Sequence, residues 1–426
     1  MKLRRVRVSK TACRVNASIE EAVNTLVRSY DRVARPLGVG VRTSNYDDLN
    51  FAFEGGQGDR LRKVHYEKSL RLLWKAQQHA PHTGFRDCTS DEMAVMQLAE
   101  GALDRAEKRE LARVKTEDYR KFLAQHYTKR QRQAIVNILS TIAHGEAYAW
   151  LVSADLLADV RSTGGRSAMT MQVLEEAKHF VVLRELLHSF DCEIPRMNVW
   201  EYITLENVLR QSGLEKFFGM NVLVEGLALS IFGTMSSFPG LEVLRMFHLD
   251  ESRHTALPHN YFHDFPLSSW QKYNPVSMAR RVALLAPAVP FLLRMEEDFA
   301  VLGIDVLEFG GSVLRKVFHL SDRVGFRLVL PESVLRTQLN LALNAYAALT
   351  RKNHRYQDYM SAEATVGDEE LAVERSVFQA IDGGGRESDG RARTPRGTKP
   401  RGRRGANGVS PVPSADAEST AAAALH

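Results

Sequence analysis

Apolar residues recur at spacings of three and four along most of residues 1–360, and Gly and Pro are sparse inside these stretches. This spacing collects apolar side chains on one face of an α-helix, whereas a half-buried strand needs alternation at every second residue. No convincing β-hairpin signal is present. The pattern predicts an all-α fold with helices at about 18–36, 60–78, 90–113, 117–126, 129–160, 167–189, 199–211, 214–234, 240–256, 268–300, 303–320 and 332–358.

This pattern, together with a change of composition near Gly383, divides the chain into four regions. The last region consists mainly of Gly, Arg, Pro, Ser and Ala, which bury too little apolar surface to fold, so we predict that it is disordered. The four are an N-terminal helical region at 1–127 that packs on a helical bundle at 128–260, a C-terminal helical extension at 261–382, and an Arg/Gly-rich tail at 383–426.

The net charge of +6 is concentrated in that tail. Residues 386–404 carry eight Lys/Arg against Glu387 and Asp389, whereas residues 1–385 carry 49 basic and 47 acidic residues. The predicted folded body is therefore nearly neutral. A solvated tail without a dedicated partner is the simplest interpretation, and contact with nucleic acid or an acidic protein is the alternative.

The composition, with 44% hydrophobic and 25% charged residues, is typical of a soluble globular protein. Cys13, Cys88 and Cys192 lie far apart, which argues against a disulfide framework and suits a reducing cytoplasm. No apolar segment of a secretory signal follows the basic start, and no stretch approaches the roughly 18 apolar residues of a membrane span. We predict a cytoplasmic protein without a membrane span, in which residues 281–294 (apolar, but short and with two prolines) form a buried segment or line a substrate channel.

Several carboxylates and imidazoles interrupt the apolar faces of the central helices. Two Glu-x-x-His motifs occur, and a further glutamate lies one helix upstream of each motif. Burying one isolated carboxylate costs several kcal/mol, and two divalent cations would cancel the charge of four. Glu and His three residues apart on a helix can reach the same ion, and this donor set suits iron or manganese. We predict a centre of two metal ions, held by Glu146, Glu176, His179, Glu225, Glu251 and His254.

Breaker residues between the carboxylates predict two helical hairpins. The turn Ser236-Ser237-Phe238-Pro239-Gly240 separates Glu225 from Glu251 and places them at the same height. The turn at 162–165 separates Glu146 from Glu176, but its arms of about 16 and 11 residues predict a longer loop or an offset. The stretch between the two hairpins is predicted to be a crossover.

A second layer of carboxylates is predicted around the histidines, because metal-bound histidines usually donate their other ring N–H to a carboxylate. Glu175 would hold His254, Asp250 would hold His179, and Arg253 would balance the charge. The alternative is that Glu175 is a solvated charge on the helix surface.

The segments Glu175-Glu176-Ala177-Lys178-His179 and Asp250-Glu251-Ser252-Arg253-His254 resemble the motifs of the ferritin-like di-iron carboxylate superfamily. Within it they are most similar to the oxygen-activating branch: bacterial multicomponent monooxygenases, acyl-carrier-protein desaturases and arylamine N-oxygenases. The resemblance covers about residues 128–260. It implies a ferritin-like four-helix bundle and makes the six residues named above iron ligands.

At three positions the chain departs from members of this superfamily, and these departures narrow the choice of function. Leu183 stands where ribonucleotide reductase small subunits carry a radical tyrosine. The position of the threonine typical of monooxygenases falls on Ala228 or Leu229, and Ser230 is the nearest hydroxyl. Arylamine N-oxygenases add a third histidine, for which His248 is a possible extra ligand or, more simply, a core histidine.

These observations predict an enzyme, a dioxygen-dependent di-iron oxidase or oxygenase that oxidises C–H or N–H bonds of a small-molecule or carrier-bound organic substrate. The cofactor would be two iron ions, with manganese as the alternative. Neither a G-x-G-x-x-G turn nor a cysteine cluster is present, so electrons would come from an external donor. The alternatives are a ferroxidase, or a non-catalytic helical scaffold with a nucleic-acid-binding tail. A homodimer is left open.

Overall fold

The three- and four-residue spacing of apolar side chains produces helices throughout the part of the chain that the structure describes. The computed structural model describes residues 3–34, 36–37, 68–69, 107–114 and 116–361. Within these ranges the chain forms helices and no β-strand, which confirms the predicted all-α class. Most of the predicted helices at 60–78 and 90–113, Cys88 and the predicted tail at 383–426 lie outside the described residues.

From Glu117 to Thr350, most connections between consecutive helices are short. The α-helices are α1 (Lys10–Ala34), α2 (Glu117–His126), α3 (Lys129–Asp159), α4 (Thr163–His188), α5 (Val199–Arg210), α6 (Gly213–Phe217), α7 (Glu225–Met235), α8 (Leu244–Asp264), α9 (Ser269–Tyr273), α10 (Pro275–Leu285), α11 (Ala288–Arg294), α12 (Glu296–Val301), α13 (Val306–Val324) and α14 (Glu332–Thr350). Two further segments are π-helical, Glu107–Leu111 and Phe218–Val224.

Two antiparallel pairs of helices build the centre of the fold. Helix α3 packs along α4, and α7 packs along α8. The two pairs are in contact through α4 and α8, and through α3 and the π-helical segment Phe218–Val224. Helix α13 covers α7 and α8, while α11 lies against α1, α5 and α13. The core is apolar and continuous from α2 to α14.

The first hairpin turns earlier than its glycines suggest. The predicted turn at 162–165 is wrong, because Ser162 is the N-cap of α4 and its Oγ accepts a hydrogen bond from the Gly165 N–H at 2.9 Å. The connection is therefore only Val160–Ser162. Glu146 lies 13 residues before the end of α3, and Glu176 lies 13 residues after the start of α4, so the arms are even and the predicted offset is absent.

The second hairpin has a longer turn and a longer second arm than predicted. Gly240 has a φ of +90°, which a helix does not allow, so α8 begins at Leu244 rather than at 240. Tyrosines of the preceding helical region fix this turn: Tyr119 Oη donates to the Gly240 carbonyl at 2.5 Å, and Tyr127 Oη donates to the Pro239 carbonyl at 2.7 Å.

The single helix predicted at 268–300 is also wrong, because four short helices occupy this range. Asn274 ends α9, and its side chain caps α10, whose first residue is Pro275. Pro287 precedes α11, and Met295 separates α11 from α12. Proline lacks the N–H that a continuous helix requires, so each proline permits a new start.

Two helical stretches are long and apolar enough to cross a membrane by length and composition alone. These are Gly213–Met235 and Pro275–Arg294, in each of which an 18-residue window has a mean hydropathy of 1.5; 89% of the window in the first and 22% of the window in the second is buried within the protein. Core helices of soluble proteins share these properties, so the observation is weak. The cytoplasmic location stays a prediction.

Candidate metal centre

The six predicted ligands come from four different helices and meet in the protein interior. Glu146 lies on α3, Glu225 begins α7, and the two Glu-x-x-His motifs lie on α4 and α8. None of these six residues is more than 3% exposed. Carboxylates are almost never fully buried unless they are paired, so this convergence requires compensating positive charge.

The six side chains form two overlapping groups of possible metal ligands. Glu146 and His179 complete one group, Glu225 and His254 complete the other, and Glu176 and Glu251 belong to both. In each group the candidate ligand atoms lie within 4.8 Å of one another. The shared glutamates have two oxygens each, and each could reach both groups.

The Nδ1 atom of His179 faces three carboxylates at once. It lies 3.2 Å from Glu146 Oε2, 3.1 Å from Glu251 Oε1 and 3.7 Å from Glu176 Oε2. One Nδ1 carries at most one proton and cannot donate to all three oxygens. Glu176 Oε2 and Glu251 Oε1 are buried and accept no hydrogen bond from the described residues.

His254 repeats this arrangement in the second group. Its Nδ1 lies 3.1 Å from Glu251 Oε2, 3.2 Å from Glu176 Oε1 and 3.5 Å from Glu225 Oε1. Two ligand atoms that each lie about 2.0–2.2 Å from one ion are about 2.8–3.6 Å apart at tetrahedral and octahedral angles. The separations at His254 lie within that range, and those at His179 extend to 3.7 Å. The donor set therefore fits one metal ion in each group.

The outer ring nitrogens of the two histidines make the reciprocal hydrogen bonds predicted from the sequence. His179 Nε2 lies 3.0 Å from Asp250 Oδ2, and His254 Nε2 lies 2.9 Å from Glu175 Oε2. Arg253 joins the two carboxylates, because its Nη2 donates to Glu175 at 2.7 Å and to Asp250 at 2.5 Å. These bonds fix both rings with Nδ1 turned toward the glutamates.

One residue in direct contact with the centre was missed by the sequence reasoning. Gln172 is buried on α4, and its Nε2 donates to Glu225 Oε1 at 2.7 Å and to Glu176 Oε1 at 3.2 Å. It thus joins carboxylates of two different helices. Its position four residues before Glu176, on the same helix face, is the signal that could have found it.

A proline and an asparagine hold this glutamine in place. Pro258 lies inside α8 and has no N–H to donate to the carbonyl of His254, four residues earlier. Asn221, in the π-helical segment, donates to that carbonyl at 3.1 Å and to Gln172 Oε1 at 2.9 Å. The helix end predicted at 256 was wrong because the carbonyl freed by the proline has this side-chain partner.

Three further histidines of this region, His144, His248 and His259, lie outside both groups. The predicted extra ligand His248 is only three residues before Glu251, and its Nδ1 lies 3.0 Å from the Leu229 carbonyl, which it reaches as a donor. His144 is buried with Nδ1 3.5 Å from Glu201 Oε1, and His259 is half-buried. The backbone contact of His248 favours its interpretation as a core histidine.

The side of the centre near His179 is apolar. The rings of Phe247 and Phe232 meet the imidazole edge-on, with centroids 4.5 and 6.2 Å away, and Leu183 is fully buried. Ser230 donates its hydroxyl to the Gly226 carbonyl at 2.9 Å and accepts from Lys316. These apolar walls lower the local dielectric and strengthen every charge interaction at the centre.

Two of the glutamates hold protons more tightly than usual. Burial, followed by the negative charges of Glu251 and Glu176, raises the pKa of Glu146 well above its ordinary value. Burial and the same two neighbours raise the pKa of Glu225 in the same direction. Without a cation, both shifts favour the protonated carboxyl groups.

The surrounding carboxylates favour the protonated form of the two histidines. Burial acts to lower the pKa of His179, but hydrogen bonds with Asp250 and Glu146 outweigh it and raise that pKa well above the usual value. Burial is likewise outweighed at His254, whose pKa the charge of Glu251 raises. In the metal-free centre, protons supply part of the positive charge.

An apolar chamber of about 40 Å³ adjoins the centre between α3, α5, α7 and α11. A second cavity of about 30 Å³ shares Leu223 and Ala288 with it and continues between α11, α13 and α14. The apolar stretch at 281–294 thus contributes walls to both cavities. The chamber is lined by Thr141, Ile142, Gly145, Glu146, Ala149, Glu201, Thr204, Leu205, Leu223, Val224, Glu225, Leu227, Ala228, Ala288 and Phe291.

Comparisons of this chain with family profiles, with curated proteins and with solved structures gave no match.

Metal binding is expected to release protons, because carboxyl groups with raised pKa values and imidazolium rings must lose their protons before they can bind a cation. Titration calorimetry with Mn²⁺ in two buffers of different ionisation enthalpy should show about two to four protons released per pair of ions. Apparent affinity should rise with pH across the neutral range. Equal heats in the two buffers would contradict this charge assignment.

Replacing Gln172 should weaken metal binding without unfolding the protein. Gln172→Met is nearly isosteric but removes both donors to Glu225 and Glu176, and we expect a loss of about 10–100-fold in metal affinity. Asn221→Leu should cause a smaller loss. The double variant should be little worse than Gln172→Met, because Asn221 acts through the glutamine. Additive losses in equilibrium dialysis would show that the two act independently.

Proposed function

We propose that this chain is a di-iron oxidase or oxygenase that uses dioxygen to oxidise a C–H or N–H bond of an organic substrate. The observation that carries the proposal is the sharing of Glu176 and Glu251 by two adjacent ligand groups beside an apolar chamber. Four carboxylates and two imidazoles form an oxygen- and nitrogen-rich set that suits iron or manganese. We assign the ions as iron because the proposed chemistry is that of dioxygen.

Charge balance supports two ions rather than one. Two dications neutralise the four glutamates, and Arg253 lies between Asp250 and Glu175 in the surrounding layer. One dication would leave the buried cluster strongly negative, or would require retained protons on Glu146 or Glu225. Replacing protons by a second ion removes that cost.

We further propose that α3, α4, α7 and α8 form the ferritin-like four-helix bundle that the resemblance implies. Even arms in the first hairpin place Glu146 and Glu176 at one height, as expected for antiparallel helices of such a bundle. The crossover between the hairpins contains α5 and α6. Contacts between α4 and α8 bring the two motifs face to face.

The apolar chamber favours an organic molecule as the substrate. Glu146 and Glu225, one from each ligand group, form part of its wall, and most of the other lining residues are apolar. A substrate in this chamber would lie against both halves of the centre. Storage of iron needs no apolar chamber beside the metal ions, which is why we favour an oxygenase over a ferroxidase.

Bound iron would supply the reduction and activation of dioxygen. The residues of the chain would hold and shield the centre: Asp250 and Glu175 orient the imidazoles, and Gln172 fixes Glu225. Phe232 and Phe247 exclude water from one side. Electrons would come from a separate donor protein.

The central prediction is a stoichiometry of about two iron ions per chain. Anaerobic loading with Fe²⁺, removal of unbound iron and metal analysis should show this ratio, and admission of dioxygen should change the optical spectrum. Glu176→Ala should lose both ions, since this residue serves both groups. Glu185→Ala, on the same helix but outside the groups, is the matched control and should retain them.

Excess Fe²⁺ in air separates the two oxidative functions. An oxygenase should stop near two ions per chain, whereas a ferroxidase should continue to oxidise iron and accumulate many more. Absence of stoichiometric metal in the unaltered protein would contradict both functions and leave the buried glutamates as a proton-balanced structural cluster.

A further inference from the structure

Among the lining residues of the chamber outside the proposed metal centre, Glu201 carries the only ionisable side chain. It is 3% exposed and lies in the first turn of α5. Its Oε2 has a long hydrogen bond of 3.4 Å from Asn198, whereas its Oε1 is buried and accepts no hydrogen bond from the described residues. His144 is the ion-pair partner of this oxygen, with its Nδ1 3.5 Å from Oε1.

The two threonine hydroxyls of the chamber wall already donate their protons to backbone carbonyls. Thr141 Oγ1 donates to the Asn137 carbonyl at 3.2 Å, and Thr204 Oγ1 donates to the Trp200 carbonyl at 2.8 Å. A threonine hydroxyl has one proton, so both oxygens can offer only lone pairs to the chamber. Away from the metal centre, the side-chain polar atoms of the wall are therefore hydrogen-bond acceptors.

A buried carboxylate oxygen without a donor is costly, and a ligand that brings a donor removes that cost. The partial positive charge at the N-terminus of α5 favours the ionised form of Glu201. Burial raises the pKa of Glu201, while the neighbouring His144 acts to lower it. A donor in the chamber would act in the same direction as the histidine.

We propose that Glu201 anchors the substrate, and that the substrate is a small, otherwise apolar molecule whose polar end is a hydrogen-bond donor, an amino or hydroxyl group. Its carbon skeleton fills the apolar part of the chamber that Glu146 and Glu225 also line. The assignment of the ligand as a substrate rests on the proposed function. Its volume is limited by the chamber, with extension past Leu223 and Ala288 into the second cavity for longer skeletons.

Three probes of similar size test this anchor on the full chain. 1-Butanol and n-butylamine have a donor, whereas methyl propyl ether, an isomer of the alcohol, has none. Ligand-observed NMR titrations should show that the alcohol, the amine or both bind about tenfold or more tightly than the ether, as expected for a hydrogen bond to a charged acceptor. Tighter binding of the amine than of the alcohol would show that the anchored group is cationic. Equally tight binding of the amine and the alcohol would show that a neutral donor is sufficient.

Glu201→Gln keeps the size of the side chain and removes its charge. We expect it to abolish most of the preference over the ether. Glu206→Gln is the matched control, because Glu206 is buried on the same helix and bonded to Tyr148 but does not line the chamber. If Glu201→Gln fails to fold by circular dichroism, Glu201→Asp keeps the charge but shortens the side chain by one methylene, which moves the carboxylate and should reduce the preference.

A second pair of variants locates the probes. A Cβ on Gly145 would meet nothing within 4 Å, and this residue lines the chamber, so Gly145→Leu should fill it and weaken binding of all three probes. Gly164→Leu is the control, since its Cβ also has open space but lies away from the chamber. Equal binding of ether, alcohol and amine, or binding unaffected by Gly145→Leu, would overturn the proposal.

Metal analysis of the same samples separates this proposal from the proposed function. All titrations are made on metal-free and on Zn²⁺-loaded protein, so no redox step is involved. Donor preference without stoichiometric metal would keep the anchor and refute the oxygenase. Stoichiometric metal without donor preference would refute the anchor alone.

Discussion

The cost of burying four carboxylates side by side is the constraint on which the rest of the structure depends. A helical interior offers no water to solvate them, so the surrounding residues, together with protons or the cations that the site could hold, must supply every compensating contact. Each layer of the centre meets part of that need. The histidines face the glutamates with one nitrogen and a second carboxylate with the other, Arg253 neutralises the outer layer, and Gln172 joins α4 to α7. The helices must therefore be held at fixed heights, which the short first turn and the tyrosine-bound second turn achieve.

Periodicity and spacing were enough to predict the helical class and the six residues that the structure brings together. Both features depend on local geometry: apolar spacing specifies helix, and a three-residue interval places Glu and His on one side of it. Chain breaks were predicted less well. Gly164 and Gly165 suggested a turn, yet the cap by Ser162 includes them in α4, and α8 continues past its predicted end at 256 because a side chain replaces the backbone donor that Pro258 lacks. The place of Gln172 on the same helix face as Glu176 was the one local signal for it, whereas the role of Glu201 depends on contacts between distant segments, which no local pattern specifies.

In the proposed function, residues of α3 have two roles: they face the metal centre and they line the chamber. Glu146 turns toward the other glutamates, while Thr141 and Gly145 complete a wall with α5 and α11. The segments outside the two hairpins thus do more than shield the core, since they supply the apolar boundary and the acceptor groups of a compartment next to the centre. The same protein interior presents a carboxylate-rich face to cations and a largely apolar face to organic molecules.

Pro258 gives the fold an unusual relation between stability and function. Any other residue at this position would restore a backbone donor inside α8 and would raise the intrinsic preference of the segment for helix by up to about 3 kcal/mol. The His254 carbonyl would then be satisfied within its own helix, and Asn221 would lose one of the two acceptors that fix it. A substitution that strengthens the helix would loosen the glutamine above the centre. Selection for thermal stability and selection for a well-ordered site therefore act in opposite directions at this one residue.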